Sequence, residues 1–228
     1  MSAKEELADR RIREWFLREQ AQRQSRSHTH RPGIPHMITI SRQYGAGGHT
    51  VAEALVTRLG KPWEIWDRSI IEKMAESANV QKEMVLALDE HARTWVDETI
   101  HFAMGLGVME QATFRKHLAL VLASLAQQGH IITIGRGANF ILPEALNVRL
   151  MANLETRSKT IMQLEGIDHA HALKRIQQVD RERADYTRRC FDRDINDPTA
   201  YDMVLSTGKL GIETTVEAIA VVATLRFK

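Results

Sequence analysis

Three short runs of branched apolar residues, at 37–41 (MITIS), 130–134 (HIITI) and 147–151 (NVRLM), constrain the fold more than any other feature. Each reads as a short strand, and the stretches between them carry helical rather than alternating periodicity. Strands separated by helices cannot pair as hairpins. They need crossover connections, which generate a parallel sheet covered by helices. Two weaker runs, 63–66 (WEIW) and 202–206 (DMVLS), bring the expected count to five strands. Expected helices fall at 48–59, 68–78, 154–165, 169–190 and 212–226, with a largely helical stretch over 81–128 interrupted near Gly105 and Gly107. Within that stretch Phe114, Leu118, Val121, Leu122 and Leu125 share one face and read as core. Met104 and Met109 read as core or as a subunit contact.

The first 36 residues have a different texture. Residues 3–24 are helix-permissive, with Leu7, Ile12, Trp15 and Phe16 near one stripe, and 24–36 (QSRSHTHRPGIPH) has the composition of a linker. The expected organisation is an N-terminal helix and linker over 1–36 and one domain over 37–228. The helix is read as packing on its own domain or on a second subunit; a membrane-surface or partner-binding role and a disordered tail are the alternatives.

Charge narrows the partners. The formal net charge is +2, and residues 1–36 hold eight Lys/Arg against five Asp/Glu, leaving 23 against 24 in the body. Polynucleotide affinity rests on neutralising many phosphates, so no polynucleotide partner is expected of that body. No apolar run approaches the roughly 20 residues that span a bilayer. Residues 1–13 are charged throughout, which does not suit a signal peptide, and a single cysteine, Cys190, suits a reducing compartment, so a cytoplasmic protein is expected. His28 and His30 with His36 lack an acidic or cysteine partner for a metal, and His169 and His171 lie on opposite sides of a helix.

Any anion must therefore be bound locally. Gly45-Ala46-Gly47-Gly48 lies between the first strand and a helix, where backbone N–H groups and a helix N-terminus make an anion site. A hydroxyl on Thr50, just inside that helix, is placed to reach a metal ion beside a bound phosphate. A second candidate is Arg136, in a Gly-Arg-Gly turn after the third strand, at the carboxyl edge where parallel sheets bind ligands. Asp67 ends the second strand on the same edge, with a helix N-cap as its alternative role. Residues 174–193 carry seven basic residues against four acids, as a phosphate lid or as a solvated helix with Asp/Arg pairs.

Six blocks together resemble the cytidylate kinase-like family, a branch of the P-loop nucleoside monophosphate kinases: ITISRQYGAGGHTVAEAL (38–55), WEIWDRSII (63–71), IITIGRGANFILPE (131–144), NVRLMA (147–152), VDRERADY (179–186) and DPTAYDMVLSTGKL (197–210). The resemblance implies an α/β three-layer sandwich of P-loop kinase type, with a five-stranded parallel sheet, a helical lid and here an N-terminal helical extension. It implies an ATP-dependent transfer of a phosphoryl group to a nucleoside monophosphate, CMP- or dCMP-like, or to a related small acceptor. ATP and Mg2+ are the implied cofactors. The nucleotide would lie on Tyr44, Gly45, Ala46, Gly47, Gly48, His49 and Thr50, with the metal at Thr50 and Asp67. Asp67, Arg136 and Arg188 would meet the acceptor. Arg42, Arg136, Asp180 and Arg183 would serve transfer, Asp180 and Arg183 matching the Asp-x-x-Arg lid pattern. A homodimer through 81–128 is a further reading.

Two departures qualify the activity. The phosphate-loop pattern G-x-x-x-x-G-K-[ST] has a lysine where this chain has Gly48, and a glycine where it has Arg42, so Arg42 is the candidate replacement cation. Cytidylate kinases proper read Asp-Gly-Arg-Asp after the third strand, whereas Ile134-Gly135-Arg136-Gly137 has neither carboxylate. A nucleotide-binding sensor or an assembly module without transfer is the alternative function.

Overall fold

A computed structural model describes residues 6, 9–18, 36–88, 90–107 and 109–228. Helix α1 spans 9–18, followed by β1 (Met37–Arg42), α2 (Gly48–Leu59), β2 (Glu64–Trp66), α3 (Arg68–Glu76), α4 (Ala78–Ala87), α5 (Glu90–Met104) and α6 (Ala112–Gln128). Then come β3 (Ile131–Ile134), the single turn α7 (Ala138–Ile141), β4 (Leu146–Met151), α8 (Leu154–Glu165), α9 (His169–Phe191), β5 (Met203–Ser206) and α10 (Thr207–Arg226). All the strand pairings are parallel, in the order β2-β3-β1-β4-β5.

Register explains the two-layered core. Ile38 and Ile40 pair with Ile132 and Ile134 on one side and with Leu146 and Val148 on the other, so six branched side chains project to one face. There they meet Val51 and Leu55 of α2 and Ile219 and Ala223 of α10. The opposite face carries Met37, Trp66 and Ile131 against Ile71 and Met74 of α3 and Leu118, Leu122 and Leu125 of α6. Each fully buried leucine there contributes about 1.5–3 kcal/mol.

Helix α1 docks on this second layer. Trp15 is 1% exposed, its carbonyl accepts from Gln128 Nε2 at 3.0 Å, and Arg11 and Arg18 both pair with Glu64. The linker expected over 24–36 lies outside the described residues except for His36.

The helical stretch over 81–128 divides more finely than its glycines suggested. Ser77 ends α3 and caps α4, its hydroxyl accepting from Val80 N at 3.3 Å, so helix begins at 78 rather than 81. A second break falls at Leu88. Met109 is 84% exposed and Met104 37%, so neither is core. Helix α10 begins before 212 but leaves helical geometry at Gly211 (φ 75°, ψ 169°). The turn α7 carried no periodicity and was not expected. No described helix is long and apolar enough to cross a membrane.

Candidate functional site

The ends of β1, β3 and β4 share one edge of the sheet, because parallel pairing puts all carboxyl ends together. After β1 the chain leaves through Gln43, whose N–H donates to Leu150 O at 3.0 Å and whose Oε1 accepts from Ala152 N at 3.1 Å. The glycines then turn it into α2. Gly45 (φ 80°) and Gly47 (φ 72°) are left-handed, and a Cβ on Gly45 would lie 2.8 Å from Arg157 O. Only glycine satisfies both demands. The first helical bond, Val51 N to Gly47 O, leaves the N–H groups of Gly48, His49 and Thr50 without an intrahelical acceptor, at the positive end of the helix dipole.

The outer side of this turn is clamped. Tyr44 N donates to Asp180 Oδ1 at 2.8 Å, Arg157 pairs closely with the other oxygen of Asp180, and Thr207 Oγ1 donates to Ala46 O at 3.1 Å. Helix α9 thus grips the turn directly. The Asp180 carboxylate is used by Tyr44 and Arg157. Arg183 donates to Arg42 O at 2.9 Å and lies over the Tyr44 ring, 5.3 Å from its centre.

Arg42 ends β1. Its stem crosses Gly48, where a Cβ would lie 2.8 Å from Arg42 Cγ, and its guanidinium reaches Gly135, where a Cβ would lie 2.5 Å from Nη1. The two departures from the lysine-bearing loop are therefore one steric exchange: the arginine stem fills space that a side chain at 48 would need. Burial, reinforced by Arg183, Arg68, Arg136 and Arg149, pulls the Arg42 guanidinium down to about 9. Among the described residues its side chain has no hydrogen-bond acceptor and no paired carboxylate.

Arg42 faces a cavity of about 270 Å³, also lined by Arg68, Arg136, Glu182, Arg183 and Arg189. Arg136 has a left-handed backbone (φ 61°), forms a close ion pair with Glu72, and stacks on Tyr186 at 4.7 Å; its buried Nε has no partner. Left-handed geometry at a non-glycine residue is costly and concentrates at functional sites. Beneath the floor, Arg149 donates to Ser41 Oγ at 2.8 Å and to Asn196 Oδ1 at 3.2 Å. Burial lowers Arg183 and Arg149 and raises the Tyr186 phenol.

Other sequence candidates fall elsewhere. Asp67 does not line the cavity; its Oδ1 accepts from Ser69 N, Ser69 Oγ and Ile70 N, capping α3. Thr50 and His49 are exposed on α2, His49 beside Glu53 at 3.5 Å. Since β3 lies between β1 and β2, Asp67 sits on the order of 10 Å sideways from the glycine turn. Arg188 is exposed and does not line the cavity, whereas its neighbour Arg189 does.

Sequence reasoning missed Glu72, Arg149, Arg157 and Tyr186. A charged Arg149 inside an apolar strand was a usable signal; the others lie on unremarkable helix surfaces. The glycine turn and its surrounding cations suit a polyphosphate, with orphaned N–H groups matching phosphate oxygens. No described group of three or more His, Cys, Asp or Glu residues converges to hold a metal alone.

Residues 37–209 match the model of the cytidylate kinase-like family. The cytidylate kinase of Ignicoccus hospitalis is 30% identical over 186 residues, covering 80% of this chain and 96% of that protein. The cytidylate kinase of Methanocaldococcus jannaschii is 33% identical over 97 residues, covering 39% of this chain and 53% of that one. An uncharacterized protein from Eubacterium ventriosum shares the fold, with a TM-score of 0.65 at 20% identity over 84% of this chain and 99% of that one.

Proposed function

Because this chain belongs to the cytidylate kinase-like family, we propose that it is an ATP-dependent phosphotransferase acting on a nucleoside monophosphate, CMP- or dCMP-like, or a related small acceptor. The observation that carries the reading is the cluster of cations lining one cavity: Arg42, half-buried and without a carboxylate, and Arg136, whose buried Nε has no partner. A cation cluster that depresses its own members is stabilised by a multiply charged anion.

In this reading the N–H groups of Gly48, His49 and Thr50 hold nucleotide phosphates. Arg42 takes the place of the missing lysine, approaching along its own stem across Gly48. Arg136 holds the acceptor's phosphate. Arg183, fixed by Arg42 O and the Tyr44 ring, neutralises charge on the transferred group and helps exclude water. Thr50 is the residue that would hold Mg2+ beside the nucleotide, since Asp67 caps α3 away from the turn; with ATP the ion would supply charge neutralisation and the transferable phosphoryl group.

A coupled assay with ATP and a panel of monophosphates tests this. Turnover on at least one pyrimidine monophosphate is expected, with Arg42→Ala and Arg136→Ala each lowering kcat/KM by about 10²–10³-fold. ATP binding by calorimetry without turnover on any acceptor would favour a second reading, nucleotide binding without transfer. Gly48 in place of lysine and Ile134 in place of a carboxylate are the observations that favour it. Absence of ATP binding would overturn both.

A further inference from the structure

Glu72 lies on α3 one turn after Arg68, and both of its oxygens are engaged by cations of the cavity. Oε2 accepts from Arg68 Nε at 3.1 Å, and Oε1 forms the close pair with Arg136. Arg136 is held in place by the Tyr186 ring, its left-handed backbone and burial of all but 8% of its side chain. Glu72 is 27% exposed and reaches the end of a short, flexible side chain. Arg136 is therefore the fixed member of the pair and Glu72 the exchangeable one.

Resting on the reading that this cavity takes a phosphorylated acceptor, we propose that Glu72, anchored by Arg68, is an internal counter-anion that competes with the acceptor's phosphate for Arg136, and so sets acceptor affinity. Of the Arg136 nitrogens, the buried Nε has no partner and Nη2 is held by Glu72. A two-pronged grip by the guanidinium, the geometry that makes arginine an efficient phosphate ligand, brings a second anion against the Nη2 that the carboxylate already holds, so the two negative groups repel and compete. Glu72 then rotates toward water, and the phosphate takes over the charge compensation that the carboxylate gave in the ligand-free protein. The carboxylate thus lowers affinity for every anion that uses Arg136.

Calorimetric titration of sodium sulfate into the full chain at low ionic strength tests this without requiring turnover. Glu72→Gln should bind sulfate at least fivefold more tightly than the unsubstituted protein. Glu72→Asp, too short to span both arginines, should also tighten binding, by a smaller factor, and serves if Glu72→Gln does not fold. Glu76→Gln makes the same charge change at an exposed position of the same helix and should shift affinity less than twofold. In an Arg136→Met background, Glu72→Gln should change affinity less than twofold, since the competition has lost its object. Equal or weaker binding by both Glu72 variants overturns the proposal, as does a gain that survives in Arg136→Met. If neither parent nor variant binds sulfate, the reading of the cavity as an anion site falls with it. A gain in sulfate affinity without turnover on any monophosphate sustains the competition and removes only the kinase reading.

Discussion

The exchange of Arg42 for glycine and Gly48 for lysine makes a quantitative prediction. A Cβ on residue 48 would lie 2.8, 3.2 and 3.3 Å from Cγ, Cδ and Cβ of Arg42. The shortest approach is about 1 Å inside an ordinary carbon–carbon contact. Gly48→Lys alone adds a whole stem to that overlap, and overpacking of this kind costs about 1–3 kcal/mol. It also places a fourth cation among Arg42, Arg136 and Arg183. Arg42→Gly alone removes the buried cation and its repulsion, but glycine at the end of a strand costs about 0.5–1 kcal/mol. In the double variant, Arg42→Gly with Gly48→Lys, the lysine stem occupies the vacated space. The double variant should regain about 2 kcal/mol relative to the sum of the single changes, within the usual range for residues in direct contact. Urea unfolding of the four proteins reads this as midpoint shifts at constant slope. Additivity to within about 0.5 kcal/mol would refute the steric argument, because it would mean that Arg42 and residue 48 do not share space. The same four proteins titrated with ATP separate steric fit from function: the double variant should bind better than Gly48→Lys alone.

Three further outcomes follow from individual contacts. Arg42 is pulled down to about 9 in the folded protein, well below the ordinary guanidinium value, so above about 9 the unfolded chain binds more protons and stability should rise as pH increases; added sulfate should remove that slope, read by urea midpoints. Trp15→Ala should cost about 3–5 kcal/mol by the same measurement, since the ring is buried between α1 and the main core; a loss under 1 kcal/mol would mean that α1 does not contribute to the domain. Asp180→Asn should destabilise by about 3 kcal/mol, because Arg157, 11% exposed, loses its paired charge; unchanged stability to urea would contradict the clamp.

Much of the architecture was legible because it depends on local pattern. The runs at 37–41, 130–134 and 147–151 read as short buried strands, and helices between them favour parallel pairing. Boundaries at 48–59 and 154–165 were fixed by glycines and an Asn cap close to the chain's own turns. The break at Leu88 and the turn α7 were not legible, because no glycine or proline marks the first and four residues are too few to show a period. The Gly-Arg-Gly turn singled out Arg136, which lines the cavity. The contact of Asp180 with Arg157 was not legible, because spacing along one helix shows Arg183 as a neighbour but not an arginine from another helix.

By itself, then, the sequence determined the five strands, the glycine turn that opens α2, and the concentration of cations near it. It also determined that lysine is missing from that turn and that Arg42 precedes it. Only the tertiary structure decided which cations face one another, since that depends on where α3, α8 and α9 cross the sheet edge. It placed Arg42 across Gly48, set Glu72 between Arg68 and Arg136, turned Arg189 rather than Arg188 to the cavity, and gave Asp67 to the cap of α3. The physical reason is range. Helix and strand propensities act over a few neighbouring residues, whereas charges compete within a few ångströms of space for whichever partner the packed helices bring near.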